Sequence, residues 1–333
     1  MKLLIVTQVV DKHHPILGFF HRWIEEFAVH CEAVSVICLQ AGDYSFPKNV
    51  HVYSLGKEEG KGRLINLYRF YKYIWTLRHE YDQVFVHMNQ QYVILGAPLW
   101  RILGKKIRFW YMHGSTPLSL KFAEIFADKI YTGSPESFRL KSSKVVVTGH
   151  GIDTQRFAPQ DQPKTMDIIT VGRITESKNL LTLIDTLLVL RQSCLATLTI
   201  VGVAVTETER QYEATLKKKV VDLNLDSSVI FKGKVTQLDL PIVLNQAKVF
   251  VTIAKNGSLD KAVLEAMACG LPVVSMAAGS VSLPLGDSQV STIPELAAEL
   301  KKVLESDTNT RMDYIDFIKQ NHSLKSLIPK ILK

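Results

Sequence analysis

The chain has 333 residues, of which 47% are hydrophobic and 22% are charged, a balance typical of soluble globular proteins. This length suits two domains of roughly 150 residues each better than one core. The formal net charge of +8 favours anionic partners. The basic residues form no dense arm and no nucleic-acid motif, so nucleic acid is not an expected partner. No apolar run reaches the roughly 20 residues that a membrane-spanning helix needs.

Ten short apolar runs, rich in β-branched residues, alternate with helical patterns along the chain. They are KLLIVT, AVSVICL, QVFVHM, IRFWYM, KVVVTG, MDIITVG, TLTIVG, VIFKG, KVFVTIA and LPVVS. Runs of this kind without polar alternation indicate strands buried on both faces, as in parallel sheets with crossover helices. The sequence therefore predicts an α/β protein built from doubly wound parallel sheets.

A polar, proline-containing gap, FAPQDQPKTMD at residues 157–167, separates two groups of these runs. We expect a first Rossmann-like domain at residues 1–160 and a second at 161–308. Helices at 309–333 are expected to return to the first domain. Two such domains would face a central cleft, and ligands of doubly wound sheets bind at the carboxyl ends of the strands.

A basic helical pattern occupies residues 63–78, where Leu64, Tyr68, Tyr71 and Trp75 recur at helical spacing among arginines and lysines. Such a helix could lie on an anionic membrane surface. The alternative is a helix that covers a sheet and holds its basic residues in solvent.

The stretch MDIITVGRITESKNLLTLIDTL predicts a strand that ends at Gly172, a polar loop with Arg173 and Lys178, and a helix from Asn179. Two cations of little expected burial beside a helix N-terminus make an anion site, because backbone N–H groups and the helix dipole add to their charge. Arginine can bind a phosphate bidentately and lysine supplies a point charge. The alternative is that both are solvated loop residues.

The stretch GSLDKAVLEAMACGLPVVS, residues 257–275, predicts a short helix before a buried strand. Ser258 and Asp260 are residue types that cap helix N-termini. Glu265 is the one carboxylate of the helical segment KAVLEAMA, and a carboxylate can accept two hydrogen bonds from a ribose diol. The alternative is a buried glutamate held by backbone groups.

Three stretches, VGRITESKNLLTLID, VIFKGKVTQLDLPIVLNQAKVFV and VLEAMACGLPVVS, together resemble the donor-binding domain of the retaining glycosyltransferases of family 4, which have the GT-B fold. The resemblance covers most of residues 166–304. It implies that Arg173 and Lys178, next to Gly172, neutralise the diphosphate of a nucleotide-sugar in place of a metal ion. It also implies that Glu265 binds the ribose and that Gly257, Ser258, Leu259 and Asp260 form a donor-binding loop.

The first domain carries weaker similarities to the same family. ILGFFHRWIEEFA resembles the loop whose glycine, here Gly18, lets the first helix approach the donor phosphates, although a glycine there can simply cap a turn. His113 in YMHGST matches the position of a cleft histidine with a catalytic role, the alternative being a structural residue at a strand end. The histidines His13, His14 and His150 are expected to be structural more often than functional.

One position departs from the family pattern. Members commonly carry a second acidic residue eight positions before the conserved one, and here that position is Gly257. Asp260, Lys261 or backbone N–H groups could replace part of its role. The departure makes donor-sugar identity and catalytic competence less secure than nucleotide binding.

The resemblance implies a metal-independent, retaining hexosyltransferase that uses a UDP- or GDP-linked sugar and no separate cofactor. Its acceptor would be a glycan or lipid-linked molecule in surface polysaccharide or glycolipid assembly. Two alternatives are a catalytically weak nucleotide-sugar binding protein and a nucleotide-sugar epimerase of the same fold. The four cysteines lack CxxC spacing, which favours free thiols and a cytoplasmic protein, peripheral at the inner face of the membrane if the basic helix contacts lipid.

Overall fold

A computed structural model describes residues 1–14, 16–255, 257–306 and 310–333. The chain divides into two compact units: unit 1 comprises Met1–Asp153 and Asn321–Lys333, and unit 2 comprises Thr154–Gln320. The sequence placed the corresponding divisions at residues 160 and 308. Among the described residues, no helix has the length and apolar character needed to cross a membrane.

The described residues form parallel strands and intervening helices. The strands are β1 (Lys2–Val10), β2 (Ala33–Ala41), β3 (Val50–Ser54), β4 (Gln83–His87), β5 (Lys106–Trp110), β6 (Lys129–Thr132), β7 (Val145–Val147), β8 (Met166–Val171), β9 (Leu198–Val201), β10 (Val229–Gly233), β11 (Ala247–Thr252) and β12 (Val273–Ser275). The helices are α1 (Phe19–His30), α2 (Arg63–Thr76), α3 (Gln90–Ile102), α4 (Leu118–Phe126), α5 (Leu180–Leu190), α6 (Glu207–Asp222), α7 (Leu240–Asn245), α8 (Lys261–Ala268), α9 (Ile293–Glu305), α10 (Met312–Asn321) and α11 (Leu324–Leu332).

Unit 1 is a seven-stranded parallel sheet in the order β3-β2-β1-β4-β5-β6-β7. Residues of α2, α3 and α4 form one apolar core on this sheet, and residues of α1 and α11 form a second. The sheet is therefore covered by helices on both faces, as its near-continuous apolar strands require. The strand order reverses direction between β1 and β4.

Unit 2 is a five-stranded parallel sheet in the order β10-β9-β8-β11-β12. Helices α5, α6 and α9 share one apolar core with the central strands. Helices α7 and α8 pack against β11, and α8 also packs against β12. The strand order reverses between β8 and β11, and that reversal is the topological switch point at which doubly wound sheets bind ligands.

All ten predicted runs are strands in the structure, and the prediction of two doubly wound parallel α/β domains is confirmed. Two strands, β3 and β6, were missed. The β3 segment lies at the edge of its sheet with largely half-buried side chains, and β6 contains four residues. Neither produces the long apolar run that marks a central strand.

The C-terminal segment returns to unit 1 through reciprocal backbone hydrogen bonds. Ile152 N–H donates to the carbonyl of His322 at 2.7 Å, and Leu324 N–H donates to the carbonyl of Ile152 at 2.8 Å. At Gly149, with φ of 87°, a Cβ atom would lie 2.0 Å from the carbonyl oxygen of Asn321. The close approach of these two segments therefore requires glycine.

Unit 1 is expected to lose stability in mild acid through His322. Burial, with a smaller contribution from the charge of Lys330, lowers the pKa of this histidine to about 4. In the unfolded chain the pKa of histidine is about 6.5. The neutral His322 therefore contributes to the free energy of unfolding fully above that pH. This contribution, of the order of 3 kcal/mol, is lost as the pH falls towards 4. Melting curves between pH 7 and pH 4 should show a steeper loss in the wild type than in His322→Gln. Parallel curves for the two proteins would contradict this.

Candidate functional site

The loops that follow β8 and β11 meet at the switch point of unit 2. Residues 172–179 follow β8, and residues 253–260 follow β11. Lys255 N–H donates to the carbonyl of Ser177 at 2.8 Å, which joins the two loops. Carboxyl ends of parallel strands on either side of a reversal in strand order leave a crevice between their loops. The predicted residues Gly172, Arg173, Lys178 and 257–260 all belong to these two loops.

Gly172 allows the lysine side chain to lie close to the backbone at the end of β8. Its φ is 149°, and a Cβ atom would lie 2.7 Å from Nζ of Lys178 and 2.6 Å from its Cε. A Cβ at Gly202, which follows β9, would lie 1.9 Å from the carbonyl oxygen of Gly172. Gly202 is thus required by close approach of the backbone, and at Gly172 it is the positive φ that favours glycine.

Lys178 is paired with a carboxylate across the crevice. It ends a 3-10 turn, Glu176–Lys178, and its Nζ donates to Oδ2 of Asp260. Their side chains are 18% and 19% exposed, so the expectation of little burial is wrong for Lys178. The lysine ammonium has three N–H donors, and the ion pair fixes its position while leaving donors for a ligand anion.

Asp260 has a second role at the N-terminus of α8. Its Oδ1 accepts a hydrogen bond from Ala262 N–H at 3.3 Å, so Asp260 caps the helix as its residue type predicted. The carboxylate therefore links the lysine of one loop to the first turn of the next helix. Both the positive end of α8 and the ammonium of Lys178 lie at this edge of the sheet.

Arg173 is the more exposed cation. Its side chain is 51% exposed, and Nη1 lies 3.4 Å from Oε1 of Glu209, so the expectation of little burial is confirmed for this residue. Backbone hydrogen bonds from Val205 and Thr206, together with the charge of Arg173, lower the pKa of Glu209. Solvent reaches the guanidinium of this pair, whereas Glu209 is 12% exposed and is also held by backbone N–H groups.

Residues 257–260 form the loop in which glycine stands where the family pattern has an acidic residue. Gly257 has a φ of 64°, a left-handed conformation in which residues with a side chain are strained. Leu259 is buried, and a Cβ at Gly279 would lie 2.3 Å from the carbonyl oxygen of Ser258. The loop is thus tightly packed at Ser258 and Leu259, next to the glycine that replaces the acidic residue.

Glu265 lies inside α8 and is 2% exposed. Its Oε1 is 3.4 Å from Nζ of Lys261, and within the described part of the chain this oxygen accepts no hydrogen bond. Burial raises the pKa of Glu265, and the nearby ammonium of Lys261 opposes the shift. Side-chain donors of Lys261 and Gln237 also lie beside this carboxyl, and a role of Glu265 in ribose binding stays a prediction.

Gly18 begins α1 in the loop after β1, at the switch point of unit 1. A Cβ atom there would lie 2.7 Å from the carbonyl oxygen of His14 and 2.9 Å from that of Lys12, so the turn itself requires glycine. The Nδ1 atom of His14 accepts hydrogen bonds from the N–H groups of Ile16 and Leu17, which makes this histidine a structural part of the turn.

The remaining predicted histidines lie elsewhere in unit 1. His113 follows β5 and is exposed, and its Nδ1 accepts a hydrogen bond from Ser115 N–H at 3.1 Å, so Nε2 carries the proton of the neutral ring. The Nε2 atom of His13 lies 3.2 Å from Oδ2 of Asp43 in an exposed hydrogen bond. His150 is buried, with its ring 5.5 Å from that of His322. A functional role for Gly18 and His113 stays a prediction.

Two side-chain pairings of the site were not predicted from sequence. The i,i+4 spacing of Lys261 and Glu265 on one helix is a detectable signal for their contact. The pair Lys178–Asp260 has no such signal, because 82 positions separate its members. Among the described residues, no cluster of three histidine, cysteine or acidic side chains could hold a metal ion.

The two parallel-sheet units are those of the GT-B fold class. The HepE protein of Anabaena, in a crystal structure with UDP and glucose, superposes with a TM-score of 0.77 over 100% of this chain and 98% of that chain, at 19% identity. Residues 151–321 match the family described as glycosyl transferases group 1. The chain belongs to that family.

Two curated relatives are similar over part of their length. AmsK of Erwinia amylovora, an amylovoran biosynthesis glycosyltransferase, is 30% identical over 165 residues, which are 46% of this chain and 36% of AmsK. WcaL of Escherichia coli K12, whose name assigns it to colanic acid biosynthesis as a glycosyltransferase, is 27% identical over 196 residues, which are 54% of this chain and 47% of WcaL. The chain thus spans less than half the length of these relatives.

Proposed function

We propose that the protein is a retaining glycosyltransferase of family 4 that moves a hexose from a UDP- or GDP-linked sugar to a glycan or lipid-linked acceptor. The observation that carries the proposal is that the side chain of Lys178 lies against the backbone of Gly172 at the switch point of unit 2, with Arg173 in the same loop. The names of AmsK and WcaL support surface polysaccharide assembly as the setting, and the complex of HepE with UDP and glucose supports a nucleotide-linked donor.

The two cations would act on the leaving group. As the bond between the anomeric carbon and the diphosphate oxygen breaks, negative charge develops on the diphosphate. Arg173 would bind it bidentately, and Lys178 would supply the remaining N–H donors of its ammonium. The acceptor hydroxyl oxygen would then bond to the anomeric carbon on the same face of the sugar and give its proton to the departing diphosphate oxygen, which gives retention. Fixed cations at this position contribute several kcal/mol to transition-state stabilisation.

Glu265 would accept hydrogen bonds from the ribose hydroxyls, and the loop from Gly257 to Asp260 would contact the donor through backbone N–H groups. We also propose that Gly18 and His113 contribute to donor binding and catalysis from unit 1. The protein would act in the cytoplasm, at the inner face of the membrane where a lipid-linked acceptor is held.

A second candidate function is a nucleotide-sugar binding protein with weak catalysis, and the glycine at position 257, where the family pattern has an acidic residue, favours it. A panel of UDP- and GDP-linked sugars distinguishes the two. A transferase releases nucleotide diphosphate only slowly without acceptor and quickly with it. A binding protein shifts its melting temperature with the same nucleotides and releases no diphosphate under either condition.

Transfer is expected to need no divalent ion, because Arg173 and Lys178 would take over the charge neutralisation that Mg²⁺ supplies elsewhere. Turnover in excess EDTA should stay within about twofold of turnover with Mg²⁺ or Mn²⁺. Complete loss in chelator, restored by adding either ion, would refute the assignment of the two cations.

A further inference from the structure

Helix α2 presents an apolar stripe to solvent rather than to the sheet. Phe70 and Ile74 are the residues of this helix buried in the core of unit 1. A neighbouring face of the helix carries four large side chains that are all exposed, at positions i, i+4, i+7 and i+11: Leu64, Tyr68, Tyr71 and Trp75. These spacings place them on one line along the helix. The core of unit 1 accounts for the packed apolar face of α2 but not for the exposed one. Exposed apolar patches of this kind mark interaction sites.

Helix α4 repeats the pattern in the same layer. Leu118, Phe122 and Ile125 are exposed at positions i, i+4 and i+7. Helix α3 packs between α2 and α4, since it contacts both, and all three contribute to the same core on one face of the sheet. Ile102, at the end of α3, is exposed as well. The outer surface of this helical layer, named here the α2–α4 face, is therefore apolar on at least two helices.

The charge of the α2–α4 face is strongly one-sided. Helices α2 and α3 contain no aspartate or glutamate, and α4 contains Glu124 alone. Glu124 accepts a hydrogen bond from Ser142 at 2.6 Å and lies 3.8 Å from Nζ of Lys144, so its charge is neutralised locally. The basic residues of the three helices are Arg63, Arg69, Lys72, Arg101 and Lys121, of which Arg101 is paired with Asp128 at 2.9 Å.

The placement of individual cations fits an anionic surface. Lys72 and Arg78 flank the stripe, and the guanidinium of Arg78 lies 4.5 Å from the ring centre of Trp75. Arg69, in contrast, is held by Glu59 through two hydrogen bonds of 3.0 Å. Tyrosine and tryptophan beside cations are the side chains that settle at the level of lipid headgroups, where an apolar ring and a polar edge are both satisfied.

We propose that the α2–α4 face docks on an anionic lipid bilayer, with the stripe of α2 inserted among the headgroups and the flanking cations bound to their phosphates. An acidic protein partner would account for the cations but not for the line of exposed aromatic and apolar side chains. A lipid surface accounts for both, because apolar insertion and attraction to anionic headgroups act together. The proposal deepens the membrane setting proposed above and does not depend on the transferase assignment.

Tryptophan fluorescence provides a reporter for this face. Trp75 is 51% exposed, whereas Trp23, Trp100 and Trp110 are at most 3% exposed. Vesicles of phosphatidylcholine mixed with phosphatidylglycerol should shift the emission of the full chain to shorter wavelength and protect it from acrylamide. Vesicles of phosphatidylcholine alone should have much less effect. In Trp75→Phe the shift should disappear while cosedimentation with the mixed vesicles remains.

Paired variants test the two parts of the surface by cosedimentation. Leu64→Ser combined with Tyr68→Ser should reduce binding to the mixed vesicles by at least about tenfold. The matched control is Leu195→Ser in unit 2, which is 84% exposed compared with 83% for Leu64, and it should bind as the wild type does. Removing Arg63 or Lys72 should cost roughly fivefold per cation at low salt, and the effect should shrink as salt is added.

Three results would overturn the proposal: no binding to the mixed vesicles, binding that Leu64→Ser/Tyr68→Ser leaves unchanged, or a dimer in sedimentation velocity that the same variant dissociates. The last result would assign the face to a second copy of the chain. Melting curves confirm that the variants are folded. Because the vesicle assay contains neither nucleotide nor acceptor, its failure would leave the proposed transfer reaction untouched, and loss of transfer would leave the vesicle result intact.

Discussion

Replacement of Lys178 by alanine is expected to lower sugar transfer by a factor of about 100 or more while the fold survives. The ammonium is fixed by Asp260 beside the backbone of Gly172, where the diphosphate would bind. A charge-assisted contact that strengthens as the leaving group departs acts mainly on the transition state, and its loss is large. Turnover with the best nucleotide-sugar of the panel measures the effect. Arg173→Ala is expected to have an effect of the same order.

Lys248 provides a matched control for this variant. It pairs with Asp167 at 2.9 Å in the same sheet, but it lies at the start of β11, away from the loops of the site. Lys248→Ala should lower stability modestly and leave transfer unchanged. For Arg173, the control is Arg191→Ala, whose guanidinium bonds the carbonyl of Ala196 at the other end of α5. Near-normal turnover in Lys178→Ala or Arg173→Ala would contradict the proposal that this cation stabilises the leaving diphosphate.

Glu265→Gln is expected to weaken nucleotide binding by about 1.5–3 kcal/mol, or roughly 10- to 150-fold, without destabilising the protein. The amide keeps one acceptor oxygen and replaces the other with a donor, so one contact to the ribose diol is lost. Burial raises the pKa of Glu265. Because the folded pKa lies above the unfolded one, the protonated carboxyl favours the folded state below the unfolded pKa. That contribution to stability is lost as the pH rises through the folded pKa. The neutral variant should therefore melt at the same or a higher temperature near pH 7, and the two proteins should converge near pH 4.

Asp167→Asn gives the mirror-image control for Glu265→Gln. Hydrogen bonds from Lys248 and Thr197 outweigh desolvation and lower the pKa of Asp167. Its ionised form therefore stabilises the fold above the unfolded pKa, so the variant should melt at a lower temperature near pH 7 with nucleotide affinity unchanged. Calorimetric titration paired with melting curves compares the two. A Glu265→Gln protein that is destabilised by several degrees and keeps full affinity would refute the ribose role.

Much of the fold could be predicted because buried parallel strands leave a strong sequence signal. Every long β-branched run is a strand, and the reversal of strand order places both predicted motifs of unit 2 at one switch point. The helical pattern at residues 63–78 was also predicted, but periodicity does not show which face packs. In α2, Phe70 and Ile74 are buried and Leu64 is exposed. Which face of α2 is buried depends on the side of the helix on which the neighbouring α3 packs.

The residue types of the site were accessible from sequence, but their pairing was not. A strand–loop–helix pattern predicted the cations Arg173 and Lys178 and the capping role of Asp260. The burial of Lys178 arises from its contact with Asp260, which only the folded sheet brings near. The left-handed backbone at Gly257 is likewise a tertiary property, set by packing of its loop.

Calorimetric titration of the full chain with UDP and with GDP tests the central claim most directly, which is that the switch-point loops of unit 2 bind the nucleotide diphosphate. One of the two nucleotides should bind saturably at one site. Its affinity should fall at least about tenfold in Lys178→Ala and stay unchanged in Lys248→Ala. Absence of binding by both nucleotides, or equal affinity in the wild type and Lys178→Ala, would contradict the claim.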